Sequence, residues 1–366
     1  MEYSQRIARV QAHLRRKKID AFLVSQPENR RYLSGFRGGD HGIAETSGVL
    51  LVPARGSVRL LTDFRYKLQA ELEVPWAEVI VYPKGLLFLL GELLSDLSVA
   101  NVAFESHYTL HSFAEKMTAK LGKKGISTLP TENIVETMRQ IKDEEEIELI
   151  RRSVRLNEEV FLEIYGSLAD YQSEIDIALA IEAAMRRRGA EGASFSTIVA
   201  SGDNGALPHA VPCPLPITRD GSLTIDMGLV LDGYCSDMTR NCVPGKATDR
   251  YLELHRLVRK AQQAGMAAVR AGIRGCDADR AARTIIAEAG YGEYFGHSLG
   301  HGVGLAVHEE PRLSIRNKKQ LKAGMVVTVE PGIYIPGWGG IRLENMVVVR
   351  EDGCENLNSD TTWLDI

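Results

Sequence analysis

Residues 223–242 read LTIDMGLVLDGYCSDMTRNC, from Leu223 to Cys242, and the pair Asp232-Gly233 at their centre predicts a hairpin. Both central residues of a type I′ turn need positive φ, and Asp-Gly between apolar runs meets that need. The turn sets Leu231 opposite Tyr234 and Gly228 opposite Asp237. Asp226 and Asp237 then project from one face as diagonal neighbours, about 7–8 Å apart at the backbone. Two carboxylates aimed at one spot repel unless a cation joins them. Asp-Gly turns are ordinary, however, and two acids on a solvated strand face need no metal. The choice depends on whether the chain supplies complementary ligands.

A second strand pair, from Met325 to Arg350, contains VVTVEPGIYIPGWGGIRLENMVVV. Glu330 and Glu344 flank a Gly-rich turn centred near Gly337, and their even separation puts them on one face, opposite each other if an odd-length loop closes the hairpin. Pro331 cannot donate to a ladder, so the first strand is an edge or bulged there. Surface glutamates are the ordinary case. Here the neighbours of both are apolar, which predicts partial burial and hence partners. Between the two strand pairs lies FGHSLGHGVGLAVHEEP, with His297, His301 and His308, three of the nine histidines in the chain. Its glycines exclude a comfortable helix and with it the helical H-E-x-x-H zinc motif, leaving a loop and strand that hold imidazoles near the backbone. His209, in LPHAVP, reads alone as a loop histidine.

The 366 residues suggest two domains. With 44% hydrophobic and 25% charged residues the composition is globular. A formal charge of −4 and the lack of a basic stripe with interleaved aromatics give no reason to expect nucleic acid. Five cysteines without a C-x-x-C pair predict reduced thiols. The charged N-terminus does not resemble a signal peptide, and the longest apolar run, Leu86 to Leu90, is far short of a membrane span. The expectation is a cytoplasmic protein with no membrane partner.

Residues 1–132 alternate helix and strand: a helix through Ile7, Val10 and Leu14, strands at Ala21 to Val24, Val49 to Val52, Val58 to Leu61, Val79 to Tyr82 and Val102 to Phe104, and helices at Leu86 to Leu97 and Leu110 to Leu121. The remainder, residues 133–366, repeats an order. Two helices capped by Asp143 and Ser173 precede the Asp226/Asp237 hairpin, and two more, Thr248 to Ala271 and Asp277 to Ala289, precede the Glu330/Glu344 pair. Helix-helix-hairpin occurring twice predicts similar halves facing one another across a cleft.

Asp226…Asp237, His301 in GHGVG, Glu330 in VEPG and Glu344 in RLEN together resemble peptidase family M24, the two-metal "pita-bread" superfamily that includes methionine aminopeptidase, prolidase and aminopeptidase P. The N-terminal RRYLSGF and LLTDFRY are similar to the smaller domain of the prolidase/aminopeptidase P branch. All five ligand positions of the family pattern are filled, in order. The resemblance implies an α+β protein: a C-terminal pita-bread domain with pseudo-twofold halves behind a smaller α/β creatinase-type domain. It implies two divalent ions per subunit, with Mn²⁺ favoured by the oxygen-rich set and Co²⁺, Zn²⁺ or Fe²⁺ open. Asp226 would hold one ion, Asp237 and Glu344 would bridge both, and His301 and Glu330 would complete the second. A shared water of lowered pKa would be the nucleophile and Glu330 its general acid–base.

By the same resemblance His297 and His308 contact substrate and stabilise the tetrahedral intermediate, His209 lines the substrate pocket, and Arg342 orients the site or a substrate carboxylate. The implied activity is exopeptidase cleavage of the Xaa-Pro bond at the N-terminus of dipeptides or short peptides, by a homodimer. Two alternatives are a creatinase-like C–N hydrolase and a non-catalytic peptide- or protein-binding module of the same fold. The first usually replaces the acidic ligands, and the second has no use for a filled set.

Overall fold

Asp232 and Gly233 take φ of 51° and 88°, the two positive values that the turn requires, and Leu231 pairs with Tyr234. The computed structural model describes residues 2–40 and 42–359, and the chain divides into two units, Met1–Arg139 and Gln140–Ile366.

In the first unit, α1 (Tyr3–Lys17) buries Ile7, Val10 and Leu14 along one stripe and ends at Lys18 in the left-handed conformation, with Arg15, Arg16 and Lys17 in its last turn. Six strands follow: β1 (Ala21–Val24), β2 (Val49–Pro53), β3 (Arg59–Thr62), β4 (Glu78–Val81), β5 (Asn101–Glu105) and β6 (Ser127–Thr131). They form one sheet in the order β4-β3-β2-β1-β5-β6. The pairs β1–β5, β5–β6 and β3–β4 are parallel and the others antiparallel. Helices α2 (Pro27–Ser34), α3 (Lys67–Glu73), α4 (Leu86–Asp96) and α5 (His111–Gly122) connect them, and the short α6 (Glu136–Arg139) closes the unit.

The second unit opens with α7 (Glu144–Gly166) and α8 (Glu174–Arg187), each started by a capping box, Asp143 with Glu146 and Ser173 with Asp176. The strands β7 (Gly192–Ala193), β8 (Ile198–Ser201), β9 (Leu223–Met227), β10 (Leu229–Leu231), β11 (Tyr234–Cys235) and β12 (Met238–Cys242) complete the first half. Helices α9 (Asp249–Ala268) and α10 (Gly275–Glu288) open the second. There follow β13 (Gly300–Gly302), β14 (Glu309–Leu313), β15 (Val326–Val329), β16 (Gly332–Ile335), β17 (Gly339–Arg342), β18 (Asn345–Val349) and β19 (Cys354–Asn356).

Each half buries a core between its helix pair and its hairpin. Phe161, Ile177 and Ile181 pack with Ile225, Met227 and Met238. Leu254, Val258 and Ile286 pack with Val327, Val329 and Ile341. Each such side chain contributes about 1.5–3 kcal/mol on burial. Both hairpins are interrupted halfway. The first breaks at Gly228, where a Cβ would lie 2.1 Å from the carbonyl oxygen of Ser236. The second breaks at Glu330-Pro331, between β15 and β16. Beyond each break the strands join a different sheet: β9 and β12 form one with β8, in the order β12-β9-β8, and β10 and β11 form another with β7; β15 and β18 sit in a five-stranded sheet, and β16 and β17 in a two-stranded one.

Candidate metal centre

Strand alternation decides which side chains meet. Ile225, Met227 and Met238 face the helices, so Asp226, Asp237 and Thr239 point to the opposite face. In the second half Val327, Val329, Ile341 and Leu343 face the helices, so Thr328, Glu330, Arg342 and Glu344 point away from them. Thr239 pairs with Asp226, which leaves Asp237 diagonal to Asp226. Val329 pairs with Asn345 and Gly332 with Arg342, which sets Glu330 directly across from Glu344.

The five residues converge. Single ligand atoms of Asp237, His301 and Glu344 all lie within 4.8 Å of one another. His301 Nε2 is 3.6 Å from Asp237 Oδ2 and 3.3 Å from Glu330 Oε1. Asp226 is held beside them by Arg342, whose Nη2 donates to Asp226 Oδ2 at 2.6 Å. Asp226, Asp237, His301 and Glu344 are buried, while the side chain of Glu330 keeps 16% of its accessibility. His301 reaches this point on β13, a strand wedged between β14 and β15. A Cβ on Gly300 would lie 2.0 Å from the carbonyl oxygen of Thr328, and one on Gly302 2.4 Å from that of Glu310. The glycines around His301 are therefore what lets the strand fit.

The donor set fits a cation. His301 Nδ1 lies 3.1 Å from the Gly302 carbonyl; a carbonyl only accepts, so Nδ1 carries the proton and the lone pair of Nε2 faces two carboxylates. Burial lowers this imidazole to a pKa of about 3, with His308 adding to the effect, so it is neutral. A lone pair and carboxylate oxygens crowded at one spot repel unless a positive ion lies between them. Two carboxylate oxygens there, Asp226 Oδ1 and Glu344 Oε1, are buried with no hydrogen-bond partner among the described residues, as open coordination positions would be. Burial, reinforced by the neighbouring acids, pushes the carboxyls of Asp237 and Glu344 well above the usual range. Burial likewise raises Glu330 to about 7.

A shell of hydrogen bonds orients these groups. Thr239 Oγ1 donates to Glu344 Oε2 at 2.7 Å and accepts from Arg342 Nε at 3.0 Å. Thr328 Oγ1 donates to Glu330 Oε1 at 3.0 Å and accepts from the backbone N–H of His301 at 3.0 Å. The two threonines thus do matching work in the two halves, each holding one glutamate and one further member of the site. The Tyr334 hydroxyl accepts from Arg342 Nη1 at 2.7 Å. None of the three was singled out in the sequence, although each lies on the ligand face by simple alternation: Thr239 two residues after Asp237, Thr328 two before Glu330.

The predicted substrate residues surround this centre. His308 is exposed, its ring 4.4 Å from that of His301 in an edge-on contact. His209 is exposed and follows Pro208, whose carbonyl accepts from Arg342 Nη1 at 3.3 Å. Arg342 uses its guanidinium on Asp226, Tyr334, Thr239 and the carbonyl of Pro208, which makes it an orienting group. His297 differs from its neighbours. Its Nδ1 lies 2.8 Å from the Ser298 carbonyl and its Nε2 3.0 Å from the Tyr334 hydroxyl, and burial lowers it to about 4. Nδ1 carries the proton and Tyr334 donates to Nε2, so a bond from His297 to a substrate requires exchange of the Tyr334 bond.

Residues 148–351 match the metallopeptidase family M24, and residues 6–141 match the creatinase/prolidase N-terminal domain. An uncharacterized peptidase of Bacillus subtilis is 37% identical over 92% of both chains. Among solved structures, an Xaa-Pro dipeptidase from Bacillus anthracis superposes with a TM-score of 0.90 at 34% identity, covering 98% of each chain. An X-Pro aminopeptidase from Thermotoga maritima does so with 0.85 at 37% identity, covering 95% of this chain and 98% of its own. The facing halves are the pita-bread fold, and divalent metal ions follow from membership. The chain belongs to metallopeptidase family M24, with a creatinase/prolidase N-terminal domain ahead of its peptidase domain.

Proposed function

We propose that the protein is an exopeptidase that hydrolyses the bond between an N-terminal residue and a following proline, in dipeptides or short peptides. The observation that carries this reading is the convergence of the Asp237, Glu330 and Glu344 carboxylates on the lone pair of a neutral His301, with Asp226 held by Arg342 from the same hairpin as Glu344. The proline preference rests on the Xaa-Pro activity named for its structural neighbours. Asp226 would hold one divalent ion, Asp237 and Glu344 both, and His301 and Glu330 the other, with Mn²⁺ suited to the oxygen-rich set. Two such ions supply Lewis acidity towards the scissile carbonyl and an acidified water for attack on it.

The residues account for the proton. Glu330, near neutrality by virtue of burial, takes a proton from the attacking water and returns it to the prolyl nitrogen as the C–N bond breaks. Thr328 holds the carboxylate in one orientation for both transfers. His308, whose ring lies 4.4 Å from that of His301, would donate to the oxyanion that forms on the carbonyl oxygen, worth about 3–4 kcal/mol for a well-aimed donor, and His209 would line the substrate pocket. His297 holds Tyr334 and through it Arg342, and contacts substrate once that bond is exchanged. The reading includes a cytoplasmic location and a homodimer, for which exposed Phe64, Leu68 and Leu72, spaced four apart, offer an apolar face. Sedimentation at the single-chain mass of 40.4 kDa would refute the dimer.

The test is hydrolysis of Xaa-Pro and Xaa-Pro-Xaa peptides by the purified chain with Mn²⁺ or Co²⁺. Cleavage of the dipeptide alone identifies a dipeptidase and cleavage of both an aminopeptidase P. If neither is cut while a peptide without proline is, the substrate assignment fails.

A further inference from the structure

Arg240 lies on the helix-facing side of β12, between Met238 and Cys242, which belong to the apolar core. A charge there needs partners. Its Nη2 lies 3.7 Å from Oε1 of Glu158 on α7, and both side chains are almost fully buried, at 1% and 4%. Glu158 in turn accepts from the backbone N–H of Ser359 at 2.8 and 3.0 Å and from its hydroxyl at 2.7 Å. In the other direction Arg240 Nη1 donates to the carbonyl of Thr239 at 3.0 Å and to that of Glu344 at 2.7 Å.

The last of these bonds is the informative one. Glu344 stands between β17 and β18, which belong to different sheets, and lies outside the paired residues of both ladders. Its peptide groups are held by β12 instead. The N–H donates to the Thr239 carbonyl at 3.2 Å, and the carbonyl accepts from Arg240. Thr239 orients the Glu344 carboxylate; Arg240 fixes the backbone from which that carboxylate extends.

We propose that Arg240 is a positioning residue for the metal centre: clamped by Glu158, it holds the Glu344 backbone so that the carboxylate meets Asp237 and His301. A relay thus runs from the C-terminal segment at Ser359, through α7 and β12, to an acid of the site. The inference rests on the metal-binding reading above. Groups that support a ligand from outside typically contribute about 10- to 100-fold to metal affinity, and that is the loss expected for Arg240→Met in a calorimetric titration with Mn²⁺. Arg240→Lys keeps the charge but not the planar fork, and recovers part of the loss. Glu158→Gln weakens binding, and the double variant loses no more than Arg240→Met alone, because Glu158 acts through Arg240. The absorption spectrum of bound Co²⁺ shifts in the Arg240 variants, which a purely structural role would not produce. Wild-type Mn²⁺ affinity and an unchanged Co²⁺ spectrum in folded Arg240→Met would overturn the proposal; if that variant does not fold, the same result in Glu158→Gln overturns it. Absence of Mn²⁺ binding by the wild type would instead defeat the metal-binding reading itself.

Discussion

The two hairpins of the catalytic unit contribute equal numbers of carboxylates by unequal geometry. In the first, the two-residue loop at Asp232-Gly233 puts Asp226 and Asp237 on a diagonal, with Thr239 across from Asp226. In the second, a three-residue loop centred on Gly337 sets Glu330 across from Glu344. A directly opposed pair brings its two acids closer than a diagonal one, and the shorter aspartates come from the more widely spaced pair. Their reach is supplemented differently. Asp226 is gripped by Arg342 from the other hairpin, whereas Glu330 meets His301 from β13. Loop length, through register, therefore sets how each pair of acids is spaced, and each half is completed by a residue from outside its own hairpin.

The largest effect is expected at Asp237. Asp237→Ala removes a carboxylate that lies within 4.8 Å of both His301 and Glu344, and turnover is expected to fall by about a thousandfold, on the scale of losing a principal electrostatic group, with far-UV circular dichroism unchanged. Retained turnover would end its assignment as a shared ligand. The next largest effects test whether the halves are supported equally. Thr239→Val and Thr328→Val each remove one hydroxyl that holds a glutamate, and each is expected to lower Mn²⁺ affinity by about 10- to 100-fold. Titration showing a loss for only one of them would mean that the support is one-sided.

A subtler probe is pH. The carboxyls of Asp237, Glu330 and Glu344 are raised in the folded state, Glu330 to about 7, against an unfolded value of about 4.3 for Glu. The folded state thus binds more protons than the unfolded one between those values, so the metal-free protein loses stability as pH rises through this window. Cations compete with those protons. The gain in Tm on adding Mn²⁺ should be larger at pH 8 than at pH 5, and an equal gain at both would show that these acids are not the ligands. The smallest effect concerns the loops. Gly233 and Gly337 have φ of 88° and 72°, and alanine at either is expected to cost about 1 kcal/mol in urea unfolding through backbone strain, leaving turnover near wild type. A larger cost at only one would show that one loop alone controls its register.

Both registers could be read from the sequence because turn chemistry and a period of two determine them without reference to distant contacts. The capping boxes at Asp143 and Ser173 are equally local. What escaped had a weak local signature or none. β6 (STLPT) is half-exposed and polar, with Pro130 in the strand, and lacks the apolar alternation of its neighbours. α2 has Pro27 at its start and Gly35 at its end, but its largely polar interior gives those two signals no apolar stripe to join. Thr239, Thr328 and Tyr334 matter only through hydrogen bonds to other elements, and nothing in their identities separates them from any strand hydroxyl. Arg240 did leave a trace: a charge in the apolar row of β12 demands a partner, although only the fold reveals that the partner is Glu158.

The central claim is that the two hairpins together hold two divalent ions. Elemental analysis of the purified chain after loading with Mn²⁺ and removal of free metal tests it directly. About two ions per chain are expected for the wild type and fewer for Asp237→Ala; a folded wild-type protein that retains no ion would rule out a metal centre held by the hairpins.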